Sequence, residues 1–101
     1  MINNNAIPYI LGFYGEEKQL IQTAEECSEL AQAALKRYKG MVNENTPAEK
    51  LKDSEHLAEE IADVLIMIEQ ITYAEGFEDD VRRIIDEKIS RQLDRIKGVK
   101  V

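Results

Sequence analysis

The sequence predicts an all-α protein, an antiparallel helical bundle completed by oligomerisation. Three observations predict it. Apolar residues recur at spacings of three and four through three long segments, no segment alternates with the period of two that a strand needs, and helix start and stop residues fall between the segments. At 101 residues the chain has room for one core, so residues 1–101 form a single domain.

Residues 1–8 read as a polar arm ending at Pro8, and "YILGFY" as an apolar turn or short helix before Gly15. A long helix is predicted over residues 16–39, with Leu20, Ala24, Cys27, Ala31, Ala34, Leu35 and Tyr38 as its core stripe and Gly40 just past its end. Lys36, Arg37 and Lys39 fall in its last turn, where cations suit the helix dipole. In "MVNENTPAEK", Thr46 as N-cap, Pro47 at N1 and Glu49 at N3 form a capping-box pattern. The short helix they open leads into, or merges with, a main helix over residues 54–74. "EGFEDD" is the next break, with Asp79 or Asp80 as cap. The last helix, residues 81–97, carries Ile84, Ile85, Ile89, Leu93 and Ile96 on one face and stops at Gly98.

The third segment has an unusual pattern. At about 100° per residue, Leu57, Ile61, Val64, Leu65 and Ile68 share one face, while Ile66 and Met67 point away from it. A helix apolar nearly all round must be covered nearly all round, and three main helices in so short a chain do not suffice. The expected cover is a second copy, in a homodimer or a dimer of dimers.

The composition narrows the function classes. A net charge of −7 and a pI near 4.7 exclude a nucleic-acid polymer or an anionic membrane as the main partner. No run approaches the roughly 18 apolar residues of a membrane span. The start of the chain has no basic region ahead of an apolar stretch, and the lone Cys27 permits no disulfide within the chain, so a cytoplasmic setting is expected.

Within the run Ile61 to Ile68 only Asp63 is polar. An ionised side chain removed from water without a partner costs several kcal/mol, so Asp63 must reach solvent or have a strong partner. "EECSE" supplies Glu26 and Glu29, and "EEIAD" supplies Glu60 and Asp63, each pair three residues apart on one helix face. Successive helices usually lie antiparallel and adjacent, which brings the four carboxylates toward one groove. The alternative is a pair of solvated acidic faces, common in a chain with 20 acidic residues.

Two carboxylates about 5 Å apart repel by roughly 3 kcal/mol at an effective dielectric of 20. Divalent cations would hold such a group together, and all-oxygen ligation favours Mg²⁺, with Mn²⁺ as substitute. His56 is the only histidine, which excludes Glu-x-x-His di-iron ligation and a Cys–His zinc site. His56 reads as a solvated residue and Cys27 as a small core hydrophobe.

"EECSEL" followed by "EEIADVLIMI" resembles the EExxE…ExxD signature of MazG-like all-α nucleoside triphosphate pyrophosphohydrolases, over most of the chain from about Leu20. The resemblance implies two antiparallel motif helices in a four-helix arrangement that binds Mg²⁺. It implies cleavage between the α- and β-phosphates to a nucleoside monophosphate and pyrophosphate. Carried over by position, Glu26, Glu29, Glu60 and Asp63 would be the metal ligands. Glu25 would be an auxiliary ligand or the group that orients or deprotonates water. The loop between the motifs, with residues 46–53, is long for the family.

Lys88, Arg91 and Arg95 form a cationic stripe on the last helix. The resemblance implies that one of them meets the phosphates, from this chain or a partner; the alternative is pairing with Glu87 and Asp94 on a wet surface. Gln19 and Gln22 lie on the Glu26–Glu29 stripe, where an amide would read a base edge, and Phe13 or Tyr14 would stack on the ring or simply pack. A phosphoribosyl-ATP pyrophosphohydrolase would use the same carboxylates, although its Leu-Leu-Tyr-His run is replaced here by "VLIMIEQI". A helical oligomerisation or adaptor module would leave the acids as solubilising groups.

Overall fold

Residue 2 and residues 4–98 are described by the computed structural model. They form four α-helices and no strand: α1 (Ala6–Tyr14), α2 (Glu16–Val42), α3 (Pro47–Glu75) and α4 (Glu78–Ile96). Helix α1 begins before Pro8, not after it. Proline in the first turn has no N–H that the helix needs, so the polar arm is shorter than predicted. Positions 1 and 3 of that arm lie outside the described residues. Ile7 and Leu11, one turn apart, are buried where α1 meets α2 and α3. Gly15, at φ 89°, ends α1 in a conformation that side-chain-bearing residues rarely adopt, and α2 starts immediately beyond it.

Helix α2 runs through Gly40 to Val42, so Gly40 does not terminate it. Gly40 is instead a point of close approach. A Cβ there would lie 2.8 Å from Asp53 Oδ2 and 3.0 Å from Asn45 Nδ2. The two segments predicted after the loop merge into α3. Thr46 Oγ1 accepts the Glu49 N–H at 3.3 Å and donates to Glu49 Oε1 at 3.0 Å. The reciprocal bond of the capping box thus runs through the hydroxyl. Gly76, in the left-handed conformation, closes α3. Phe77, not Asp79 or Asp80, stands at the N-cap of α4. The two aspartates fall with Glu78 in its first turn, where carboxylates complement the helix dipole.

Helices α2 and α3 form the main packing unit, an antiparallel hairpin. Its register is fixed by Gln19 against Gln70, Glu26 against Glu60, and Gly40 against Asp53. The inward faces are not the apolar stripes read from the sequence. Along α2 the seam is lined by Gln19, Glu26, Ala33 and Gly40, and along α3 by Asp53, Glu60, Val64, Met67 and Gln70. Leu20, Cys27, Leu35 and Tyr38 are exposed, as are Ile61, Leu65 and Ile68, whereas Met67, expected to point outward, is buried. The physical reason lies in the small residues and the polar pairs. Ala33 and Gly40 let the helices approach closely, and side-chain amides on that face find partners across it.

Helix α4 buries no residue among the described ones; only its first turn, with Glu78 and Arg82, borders a cavity shared with α1 and α3. Its Ile84, Ile85, Ile89 and Leu93 lie in the open, like the apolar stripes of α2 and α3. The chain accordingly has an accessible surface of 7803 Å², against about 5,800 Å² for a compact monomer of this mass. Its radius of gyration is 17.1 Å, where about 13 Å is usual. No helix among the described residues is long and apolar enough to cross a membrane.

Candidate functional site

Halfway along the seam, Glu26, Glu60 and Asp63 each direct one carboxylate oxygen to a common point, all three lying within 4.8 Å of one another. Glu60 and Asp63 come together because three residues make most of a helical turn, and Glu26 faces them because the hairpin is antiparallel. Glu60 is only 9% exposed, while Asp63 opens to solvent. Glu26 Oε2 and Glu60 Oε2 are fully enclosed, yet neither has a hydrogen-bond partner.

Glu29, one turn beyond Glu26, feels the same field. Its carboxyl is held above the ordinary carboxylate range by repulsion from Glu26, then from Glu60, with Asp63 adding less. Among the described residues no lysine or arginine forms an ion pair with the group. The nearest cationic candidate is His56, whose Nε2 stands 3.9 Å from Glu60 Oε1, too far for a hydrogen bond. Enclosed carboxylate oxygens without donors, in a cluster made only of oxygen, suit a hard divalent cation. Glu25, next in sequence to Glu26, is exposed and is not one of the three converging acids.

The seam changes character on either side. Toward the start of α2, Gln22 Nε2 donates to Glu26 Oε1 at 2.8 Å. One turn earlier, Gln19 Nε2 donates to Gln70 Oε1 at 2.7 Å. These amides border a cavity of about 380 Å³ that is also lined by Ile10, Tyr14, Lys18, Ile66 and Met67. Tyr14 reaches this cavity. Phe13 stacks edge-on to Tyr14, ring centres 4.9 Å apart, and is itself exposed.

Toward the hairpin loop, Lys36 and Lys52 flank a cavity of about 290 Å³ that His56 and Glu59 also line. That cavity is also lined by Asp53 and Glu55, so its two exposed lysines stand among carboxylates. Sequence reasoning placed Glu26, Glu60, Asp63, Gln19 and Gln22 on this one surface. Lys88, Arg91 and Arg95 are elsewhere, on α4, and line none of the cavities along the seam.

Gln70 and Lys52 belong to the surface without having been singled out. Gln70 carried a usable signal, an amide at the end of an apolar run, open to the argument applied to Asp63. Lys52 carried none. Comparison of the chain with protein-family models, curated proteins and solved structures finds no match.

Proposed function

We propose that this protein is a Mg²⁺-dependent nucleoside triphosphate pyrophosphohydrolase, releasing pyrophosphate and a nucleoside monophosphate. The observation that carries the reading is the convergence of Glu26, Glu60 and Asp63, with two enclosed oxygens lacking any partner. Glu26, Glu60 and Asp63 would hold the cation, and Glu29, one turn away, would join them. Bound Mg²⁺, or Mn²⁺ in its place, would neutralise phosphate charge and make water more acidic. An acidic protein could then accept a polyanionic substrate.

The chain's own residues do the rest by position and charge. Phosphoryl transfer asks chiefly for alignment and electrostatic support. Glu25, exposed and next in sequence to Glu26, would serve as an auxiliary ligand or take the proton from the water that attacks the α,β-anhydride. Lys36 and Lys52 stand at the end of the seam where the distal phosphates would lie. Lys88, Arg91 and Arg95 would reach such a site through association of chains. The uncovered apolar faces of α2, α3 and α4 support a homodimer or a dimer of dimers. The accessible surface exceeds that of a compact monomer by about 2,000 Å² per chain, on the scale that an extensive obligate interface covers.

The test is pyrophosphate release from a panel of NTPs and dNTPs with Mg²⁺ and with EDTA, alongside Asp63→Asn checked for helicity and assembly. Metal-dependent release, lost in the folded variant, is the expected result. No turnover on any nucleotide, with no Mg²⁺ or Mn²⁺ binding by calorimetry, would overturn the reading.

A further inference from the structure

The orientation of the seam amides specifies the kind of base that the neighbouring cavity would take. Gln70 is 1% exposed, and its Nε2 lies 3.4 Å from the Ile66 carbonyl oxygen. That carbonyl can only accept, so the Gln70 amide must turn its NH₂ toward it and its Oε1 toward α2. Gln19, 6% exposed, must then donate to Gln70 Oε1, which leaves Gln19 Oε1 as the unused end of the relay. Gln22 is fixed by the same logic. Its NH₂ faces the acceptor-only carboxylate of Glu26, which leaves Gln22 Oε1 unused as well. Among the described residues neither carbonyl oxygen accepts a hydrogen bond, and both residues line the 380 Å³ cavity.

Two amides locked by obligate acceptors thus present acceptors to whatever enters. The remaining walls, Ile10, Ile66, Met67 and the Tyr14 ring, suit the faces of a planar heterocycle. Gln19 and Glu26 are seven residues apart on one helix, about 10 Å. A sugar and its first phosphate would bridge that span from the cavity to the carboxylates.

We infer that the Gln19–Gln22 cavity selects nucleotides whose base carries an exocyclic amino group, and discriminates against uracil-type and hypoxanthine bases that show a carbonyl in its place. The inference rests on the hydrolase reading of the carboxylate cluster. A base with an amino group donates to the free glutamine oxygens. One with an oxo group has only a ring N–H to give, and its carbonyl sets oxygen against one of the two glutamine oxygens and leaves that acceptor unpaired.

The experiment compares CTP with UTP and ATP with ITP, by kcat/KM with Mg²⁺. Dissociation constants of the α,β-methylene analogues of CTP and UTP, by calorimetry, supply a second readout. The expected preference for the amino member of each pair is roughly tenfold to a hundredfold in both readouts. In the double variant Gln19→Leu/Gln70→Leu, which removes both partners of a buried hydrogen bond together and so spares the fold, the preference should fall by at least about threefold, with Gln22 Oε1 as the acceptor that remains; an unchanged preference overturns the inference. Equal use of both members, or preference for the oxo member, overturns the inference and leaves the hydrolase reading standing. Absence of pyrophosphate release and of analogue binding for every nucleotide removes both.

Discussion

Gly40 on α2 faces Asp53 on α3 so closely that a methyl group on the glycine would stand 2.8 Å from the Asp53 carboxylate. Asp53 is itself buried and Asn45 closes the other side at 3.0 Å, but both contacts are side-chain tips that border a cavity of about 290 Å³, into which they can turn. Alanine ordinarily favours a helix over glycine by up to about 1 kcal/mol. At Gly40 the displacement of the Asp53 and Asn45 tips should consume that gain, leaving Gly40→Ala within about 1 kcal/mol of the parent. Gly12 in α1, which has nothing within 4 Å, should show the ordinary gain. Urea titration of both variants checks the contrast.

Metal ligation should be visible without turnover. Mg²⁺ or Mn²⁺ at about a hundred times its dissociation constant is expected to stabilise the fold by about 2.7 kcal/mol. Glu60→Gln should lower cation affinity by more than about tenfold. The same change relieves repulsion within the cluster, so the metal-free variant should melt no lower than the metal-free parent. Calorimetry and thermal melts in EDTA separate the two effects.

The Glu29 carboxyl supplies a pH dependence whose sign is fixed by its cause. Repulsion from Glu26 and Glu60 raises its proton affinity in the folded chain. Between the ordinary carboxylate value and the raised one, the folded state therefore binds more protons than the unfolded state. Metal-free stability should fall as pH rises through that window. Cation affinity should rise through the same window, because binding displaces the proton. Glu29→Gln should flatten both slopes, as measured by melts and metal titrations at a series of pH values.

A second carboxyl pair behaves alike at the start of α2. Glu16 is shifted upward by its hydrogen bond to Glu75, with burial and repulsion from the same residue adding to it. Glu16→Gln keeps a donor for Glu75 at every pH. It should raise the melting temperature at neutral pH and leave it unchanged where Glu16 is already protonated.

Association is expected to depend on the uncovered apolar faces. The wild-type chain should sediment as a dimer or larger. Ile89→Glu on α4 or Leu65→Glu on α3 should shift it toward the monomer, since both side chains are about half exposed in the single chain. Analytical ultracentrifugation reads the result directly.

The helices were legible in the sequence because periodicity and caps are local. Thr46, Pro47 and Gly76 mark boundaries whatever the tertiary structure does. The carboxylates were legible because Asp63 is conspicuous within its apolar run. Which face turns inward was not legible, because apolar pattern alone does not distinguish packing within a chain from packing between chains. Leu35 and Tyr38 read as core and stand in the open, whereas Ala33 and Gly40 carried little hydrophobic signal and line the seam. Gln70 is the same lesson in polar form, since its burial depends on a partner 51 positions away.

Helix α4 has 19 residues and buries none of them among the described residues. Most helical stability in proteins comes from packing of an apolar face, which the single chain does not supply to α4. Its helicity should therefore track protein concentration, while the α2–α3 hairpin, closed by neighbouring segments, forms first and without a partner. Dilution should erode the circular dichroism signal in two stages, the terminal helix melting as complexes dissociate and the hairpin outlasting it.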